Sequence, residues 1–314
     1  MTQQFYSNGK LLLTGEYVVL DGALSLALPT KYGQTLTIKE LDSSVISWTS
    51  LDEKGEIWFH TSLQLDFFRN SAVNNPNEVE NSLLTSADKV AKMLLKILLE
   101  AKTLNPNFLN GKIGYEVHTK LSFPRDWGLG SSSTLINNIA QWAKVDPFAL
   151  LSKTFNGSGY DIACAQHNRP IVYQIKYGNP FAKEIEFNPP FKDNLFFVHL
   201  NRKQNSREGI TRYKAQEFNK EALINKISGL TEEFISCTEI SRFEELMNTH
   251  ELILADILSL TPVKKNLFPD FEGAIKSLGA WGGDFVLAIG NKNTPEYFIE
   301  KGYKIVIPFS EMIL

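Results

Sequence analysis

The stretch Pro124-Arg125-Asp126-Trp127-Gly128-Leu129-Gly130-Ser131-Ser132-Ser133 constrains the fold of this chain more than any other feature. It follows Ile113 to His118, which alternates as a strand, and leads into Leu135, Ile136, Ile139, Ala140 and Ala143 at helical spacing. A strand, a glycine loop and a helix in that order leave backbone N–H groups free at a helix N-terminus. Glycines let the backbone approach an anion without side-chain clash. The helix dipole favours negative charge at that end, and the serines add hydroxyl donors. A plain serine N-cap after a glycine turn gives the same local pattern.

Other nucleotide signatures are missing. A phosphate-binding loop of the Walker type needs a glycine five residues before Gly-Lys, where this chain has Gln4 before Gly9-Lys10 and Pro106 before Gly111-Lys112. The dinucleotide fingerprint fails because Gly128-Leu129-Gly130 is followed at the third place by Ser133. The histidines at 60, 118, 167, 199 and 250 lack metal-ligand spacing.

The rest of the chain reads as mixed strands and helices. Lys10–Leu13, Tyr17–Leu20, Gln34–Ile38 and Val45–Trp48 are strand-like, and an antiparallel sheet is the economical expectation. Residues 62–82 are polar, and Ser86 to Lys102 carries an apolar helical stripe. A glycine loop at 157–159 precedes Ile162–Ala165, and Pro170–Tyr173 reads as a strand. Phe187-Asn188-Pro189-Pro190 reads as a linker. Beyond it come a strand at 195–200, helices at 216–236 and 241–258, a short helix at 272–278, and strands at 285–289 and 303–307 around a helix near 295–301. Strict βαβ alternation is absent, so both halves are expected to be α+β. The length of 314 residues suits two domains, 1–187 and 191–314.

Composition removes several classes. With 43% apolar and 21% charged residues the chain is neither disordered nor fibrous. A formal net charge of -3 gives no footprint for nucleic acid or a membrane surface. Cys164 and Cys237 cannot build a disulfide framework or a four-thiolate zinc site. The first apolar run, Leu11–Leu13, is broken by Gly15 and Glu16, and no window reaches the roughly 18 apolar residues of a membrane span. A cytoplasmic protein is the expectation.

Four separated segments together resemble the GHMP kinase superfamily, the small-molecule kinases that include galactokinase, homoserine kinase, mevalonate kinase and phosphomevalonate kinase. Ser7-Asn8-Gly9-Lys10-Leu11-Leu12-Leu13-Thr14-Gly15-Glu16-Tyr17-Val18-Val19-Leu20-Asp21-Gly22 resembles the first motif, and 124–133 the second, phosphate-binding one. Gly157-Ser158-Gly159-Tyr160-Asp161 is similar to the segment bearing the catalytic aspartate, and Gly279-Ala280-Trp281-Gly282-Gly283-Asp284 to the glycine-rich third motif. Gly-Glu-Tyr in the first motif and Gly-Gly-Asp in the third look more like phosphomevalonate kinase. The run Gly159-Tyr160-Asp161-Ile162-Ala163 also resembles a bacterial GHMP-type group named for those letters.

The resemblance implies a two-domain GHMP kinase fold with an N-terminal domain like ribosomal protein S5 and a C-terminal ferredoxin-like domain. It implies an ATP- and Mg²⁺-dependent kinase acting on a mevalonate-pathway intermediate, mevalonate or phosphomevalonate, and leaves room for a homodimer. Asp161 would be the general base with Lys10 beside it. Gly128, Leu129, Gly130, Ser131, Ser132 and Ser133 would hold the nucleotide, with Ser132 as the Mg²⁺ ligand. Glu16, Tyr17, Ser206, Gly282 and Gly283 would bind the acceptor. The residues alone leave other roles open: a turn carboxylate for Asp161, a paired strand carboxylate for Glu16, a helix cap for Ser206 and a tight turn at 282–283. Asn205-Ser206-Arg207 offers a hydroxyl and a guanidinium suited to an anion.

Two places depart from the family. Where mevalonate kinase carries an acidic Mg²⁺ ligand, this chain has Leu150, and where the family usually has glycine, it has Trp281. These leave open a non-catalytic metabolite-binding protein, and the fold also serves decarboxylases of the diphosphomevalonate type.

Overall fold

The computed structural model describes residues 2–70, 89–155, 157–202, 206–281 and 283–314. The strands are β1 (Thr2–Leu12), β2 (Ser25–Leu41), β3 (Val45–Leu51), β4 (Ile57–Gln64), β5 (Gly114–Leu121), β6 (Ile171–Lys176), β7 (Asn179–Glu184), β8 (Leu195–His199), β9 (Ile275–Ser277), β10 (Phe285–Ile289) and β11 (Val306–Pro308). The helices are α1 (Leu65–Asn70), α2 (Lys89–Leu104), α3 (Ser131–Ala143), α4 (Pro147–Thr154), α5 (Tyr160–Gln166), α6 (Ser206–Lys214), α7 (Lys220–Ser236), α8 (Ile240–Leu258), α9 (Val263–Leu267), α10 (Thr294–Glu300) and α11 (Phe309–Met312). The class is α+β.

Contacts divide the chain into two compact units, each built from several stretches of sequence. Unit 1 comprises Met1–Gly9, Tyr32–Arg125 and Gly130–Gln166; unit 2 comprises Lys10–Lys31, Asp126–Leu129 and His167–Leu314.

In unit 1 the strands run β4, β3, β5 and then the Gln34–Leu41 part of β2. β3 pairs β5 in parallel, Ile46 opposite Tyr115 through Leu51 opposite Lys120. The antiparallel expectation concerns the strands up to about residue 60, where β3 and β4 do pair antiparallel; β5 adds a parallel pair after the chain's long excursion through β4 and the helices. Leu36, Ile38, Ile46, Trp48 and Val117 from the strands share one core with Leu94, Leu98, Ile136, Ile139 and Leu150 from the helices. α4 starts where Asp146 accepts from the N–H groups of Phe148 and Ala149, with Pro147 at the first helical position. Of the expected helix at 86–102, only the part from Lys89 falls in the described residues, where it runs on to Leu104. Residues 71–82 of the polar stretch also lie outside them, while 62–70 close β4 and form α1.

In unit 2 the Ser25–Ala27 part of β2 pairs β6, and β6 pairs β7. A second sheet runs β11-β8-β10-β9 and is antiparallel at each pairing. Val198, Phe268, Ile275, Val286, Ala288 and Phe298 form its core. Asn219 caps α7 by accepting from Ala222 N–H. Tyr17–Leu20, expected as a strand, instead contributes to a single 3₁₀ turn over Val18–Asp21. Tyr17 has φ 64 and Gly22 has φ 96, so left-handed residues bound it on both sides and no extended chain can pass. The short helix expected at 272–278 is instead β9, whose three residues are all buried. Among the described residues no helix is long and apolar enough to cross a membrane.

Candidate functional site

Three sequence-distant motifs meet inside unit 2. Lys10 donates its backbone N–H to Leu129 O at 3.0 Å and its ammonium to Gly128 O at 2.7 Å. Gly128 has φ 66, and a Cβ there would stand 2.4 Å from the Asp284 carboxylate. Only glycine lets Asp284 lie so close. Trp127 packs edge-on against Phe285 and beside His199, whose Nε2 lies 3.3 Å from Asp126 O. Lys10, the run Asp126 to Leu129 and Asp284 are thereby held together within unit 2. Gly283 adjoins Asp284 and is buried; Gly282 lies outside the described residues.

The serines and Asp161 belong to unit 1. α3 begins after Gly130, which has φ 88 and supplies no side-chain cap. Ser133 is buried and spends its hydroxyl on Gly130 O at 2.8 Å. Thr134 donates to Gln34 Oε1 at 2.7 Å, which ties the first turn to the sheet. Ser132 is exposed and Ser131 half-buried, and no side chain caps the amide groups of this first turn. Asp161 stands at the start of α5, half-buried, with Oδ1 accepting from Ile162 N–H at 3.1 Å. α5 packs against α3.

Glu16 lies in a buried group of charges in unit 2. Its carboxylate is 1% exposed, bonded through Oε1 to the Lys276 ammonium, which has no exposure. Lys276 also donates to Ser277 O at 2.9 Å. Glu251 accepts from the Ser277 N–H and hydroxyl at 2.9 and 2.8 Å. His250 Nε2 accepts the Gly15 N–H at 3.1 Å and lies 3.4 Å from Glu16 Oε2. That nitrogen therefore carries no proton, and the ring is neutral. Burial pushes Glu16 up to about 7 against the pull of Lys276, and burial, then Lys276, hold His250 well below the ordinary histidine value. Of the paired strand carboxylate expected as the other role for Glu16, the pairing is present and the strand is not, since Glu16 lies buried in a turn.

A cavity of about 460 Å³ opens in the same unit, bordered by Tyr17, Arg202, Arg212, Val263 and Trp281. Trp281 is 2% exposed with φ 35, so the indole forms wall rather than surface. Tyr17 stacks on Tyr213 at 5.8 Å, and Tyr213 donates to Asp21 at 2.6 Å. Ser206 is the first residue of α6, whose Gly209 also borders the cavity; the side chains of Ser206 and Arg207, and all of Asn205, lie outside the described parts.

Sequence reasoning missed Lys276, Glu251, Arg202 and Arg212. Lys276 lies inside a segment whose spacing fits a short helix, and the histidine spacing that fails for a metal says nothing of a buried charge group at His250 and Glu251. The two arginines belong to no motif. Leu150 is fully buried among core side chains, and among the described residues no group of three or more His, Cys, Asp or Glu is placed to hold a metal. Ser132 offers an exposed hydroxyl and Asp161 a half-buried carboxylate, oxygen donors of the kind that suit an ion held mainly by phosphate oxygens and water.

No family model and no curated protein matches the chain. Solved structures do. The mevalonate kinase of Methanococcus jannaschii aligns with TM-score 0.70 at 17% identity, over 98% of this chain and 97% of that one. The Streptococcus pneumoniae phosphomevalonate kinase in complex with phosphomevalonate and AMPPNP gives 0.65 at 15%, over 95% of each. A mevalonate diphosphate decarboxylase from Legionella pneumophila gives 0.58 at 12%, over 98% of this chain and all of that one.

Proposed function

The chain folds as a GHMP kinase, and from that premise we propose that it is an ATP-dependent kinase of a small-molecule acceptor, with a mevalonate-pathway intermediate, mevalonate or phosphomevalonate, as the acceptor. The observation that carries the reading is the start of α3: a left-handed Gly130, no side-chain cap, and Ser132 turned to solvent. Such a helix end suits the phosphates of a nucleotide.

In this reading Gly128, Leu129, Gly130 and Ser131 to Ser133 hold the phosphates, Ser133 through its backbone N–H because its hydroxyl is spent on Gly130 O. Ser132, with Asp161, holds Mg²⁺, which neutralises phosphate charge when bound. The acceptor oxygen, a hydroxyl of mevalonate or a phosphate oxygen of phosphomevalonate, attacks the γ-phosphorus, the proton of a hydroxyl acceptor passes to an Asp161 oxygen, and ADP leaves. Lys10 stabilises charge on the attacking oxygen. Positioning and electrostatics carry most of such a transfer, because little covalent chemistry falls to the protein. The acceptor occupies the cavity beside Tyr17, Glu16 holds the turn that carries Tyr17, and Ser206, Gly282 and Gly283 keep the acceptor-binding role that the resemblance implies for them. Domains at 1–187 and 191–314, a homodimer and a cytoplasmic location go with the proposal.

The test is ADP formation from ATP and Mg²⁺ with mevalonate, phosphomevalonate, homoserine and galactose offered separately. One productive acceptor supports the reading, and silence across the panel counts against it. The buried Leu150 and the walled-in Trp281 favour a second reading, a metabolite-binding protein without turnover. Calorimetry separates the two, since that protein would bind metabolite but not ATP. A decarboxylase would release carbon dioxide.

A further inference from the structure

We propose that the unit 2 cavity takes an acceptor that already bears a phosphate group, held between Arg202 and Arg212. The inference deepens the kinase reading and rests on it.

A volume of about 460 Å³ suits a small metabolite. Much of the wall is apolar or aromatic, with Leu200, Leu258, Val263, Tyr17, Trp281 and Tyr303 among its residues. The charged residues at its border are Arg202, Arg212 and Glu208. Arg202 follows the end of β8, and Arg212 sits in the last turn of α6. Gly209 brings α6 in close, since a Cβ there would stand 2.3 Å from the Tyr17 hydroxyl.

Among the described residues, neither guanidinium makes an ion pair or a side-chain hydrogen bond. Two other arginines are spent, Arg242 on both Glu233 and Glu245 and Arg69 on Asp66, whereas Arg202 and Arg212 stand exposed at the cavity. The contrast is sharper because Glu208 lies four residues before Arg212, the spacing at which such a pair closes on a helix. It does not close here. Two forked, permanently charged donors at one small cavity match a phosphate dianion, which offers three oxygens and accepts bidentate bonds. A neutral sugar gives two cations nothing to neutralise, and a single carboxylate satisfies one fork.

Steady-state kinetics at saturating ATP, comparing phosphomevalonate with mevalonate, tests this directly. The wild-type protein should prefer the phosphorylated acceptor in kcat/KM by at least about tenfold. Arg202→Gln and Arg212→Gln should each raise the KM for that acceptor about tenfold and shrink the preference, with Tm and the KM for ATP unmoved. If turnover occurs but the unphosphorylated acceptor is preferred, or the variants keep the wild-type preference, the inference falls while the kinase reading stands. If neither acceptor consumes ATP, calorimetry with phosphomevalonate alone decides the cavity. Binding that weakens in the arginine variants supports it, and no binding to the wild type overturns it.

Discussion

Glu16 and Lys276 form an ion pair closed off from solvent, joining the first motif to the buried strand β9. Removing one partner strands the other. Lys276→Met should therefore destabilise the protein by about 3–5 kcal/mol, the usual cost of breaking a buried pair. Glu16→Gln combined with Lys276→Met should recover a large part of that loss. Urea unfolding of the two single variants and the double variant measures the coupling, and additive losses would show that the pair is not a unit.

The neighbouring titrations have opposite signs. Glu16 is raised from 4.5 to about 7, so the folded protein keeps a proton that the unfolded chain releases. Its contribution to stability is complete below about pH 4.5 and is lost as pH rises through 7. His250 is lowered well below 6.5, so its contribution is present above 6.5 and is lost as pH falls through the depressed value. The stability of the wild type relative to Glu16→Gln should fall between pH 4.5 and 7. Relative to His250→Gln it should fall on acidification below 6.5. Chemical denaturation across pH 4.5–7.5 checks both slopes, and parallel profiles for wild type and variants would contradict them.

Gly128 and Asp284 are joined by the absence of a side chain. Gly128→Ala places a Cβ against the carboxylate at a positive φ, at a cost of about 1–3 kcal/mol. Nucleotide affinity should fall with it, because the loop that Lys10 holds must shift. Adding Asp284→Ala should restore part of the stability by removing the clash, though not the backbone strain. Thermal melts and nucleotide titration of both variants report this, and an unchanged Gly128→Ala protein would refute the packing.

What the sequence disclosed was local. Glycine loops and the helices at 131–143 and 240–258 follow from spacing and turn chemistry, which one segment carries by itself. The parallel pairing of β3 with β5 is non-local and leaves no mark in either strand. β9 was hidden because Ala274, Ile275 and Leu278 also fit a helical stripe; what makes it a strand is its antiparallel pairing with β10, Val286 opposite Ser277 through Ala288 opposite Ile275. The 3₁₀ turn after Tyr17 looks apolar and extended in sequence, yet Tyr17 at φ 64 and Gly22 at φ 96 take the backbone out of the extended region on both sides of it. Arg202 and Arg212 come from separate elements, and their convergence on one cavity exists only in three dimensions.

Ser132→Ala should lower the affinity for Mg²⁺ and ATP together without unfolding α3, since its exposed hydroxyl does not cap the helix. Ser133→Ala should instead cost stability, about 1 kcal/mol, through the lost bond to Gly130 O. Calorimetric titration of ATP with and without Mg²⁺, beside a thermal melt, distinguishes the two serines, and equal effects on binding would contradict their assignment.

Transfer of labelled γ-phosphoryl from ATP to acceptor, by the wild type and by Asp161→Asn, tests the central claim most directly. The kinase reading predicts labelled acceptor and stoichiometric ADP from the wild type. It predicts a loss of about 10²–10⁴-fold in kcat for the variant, with ATP affinity retained. Label that never leaves ATP, or an Asp161→Asn protein that turns over at the wild-type rate, would contradict it.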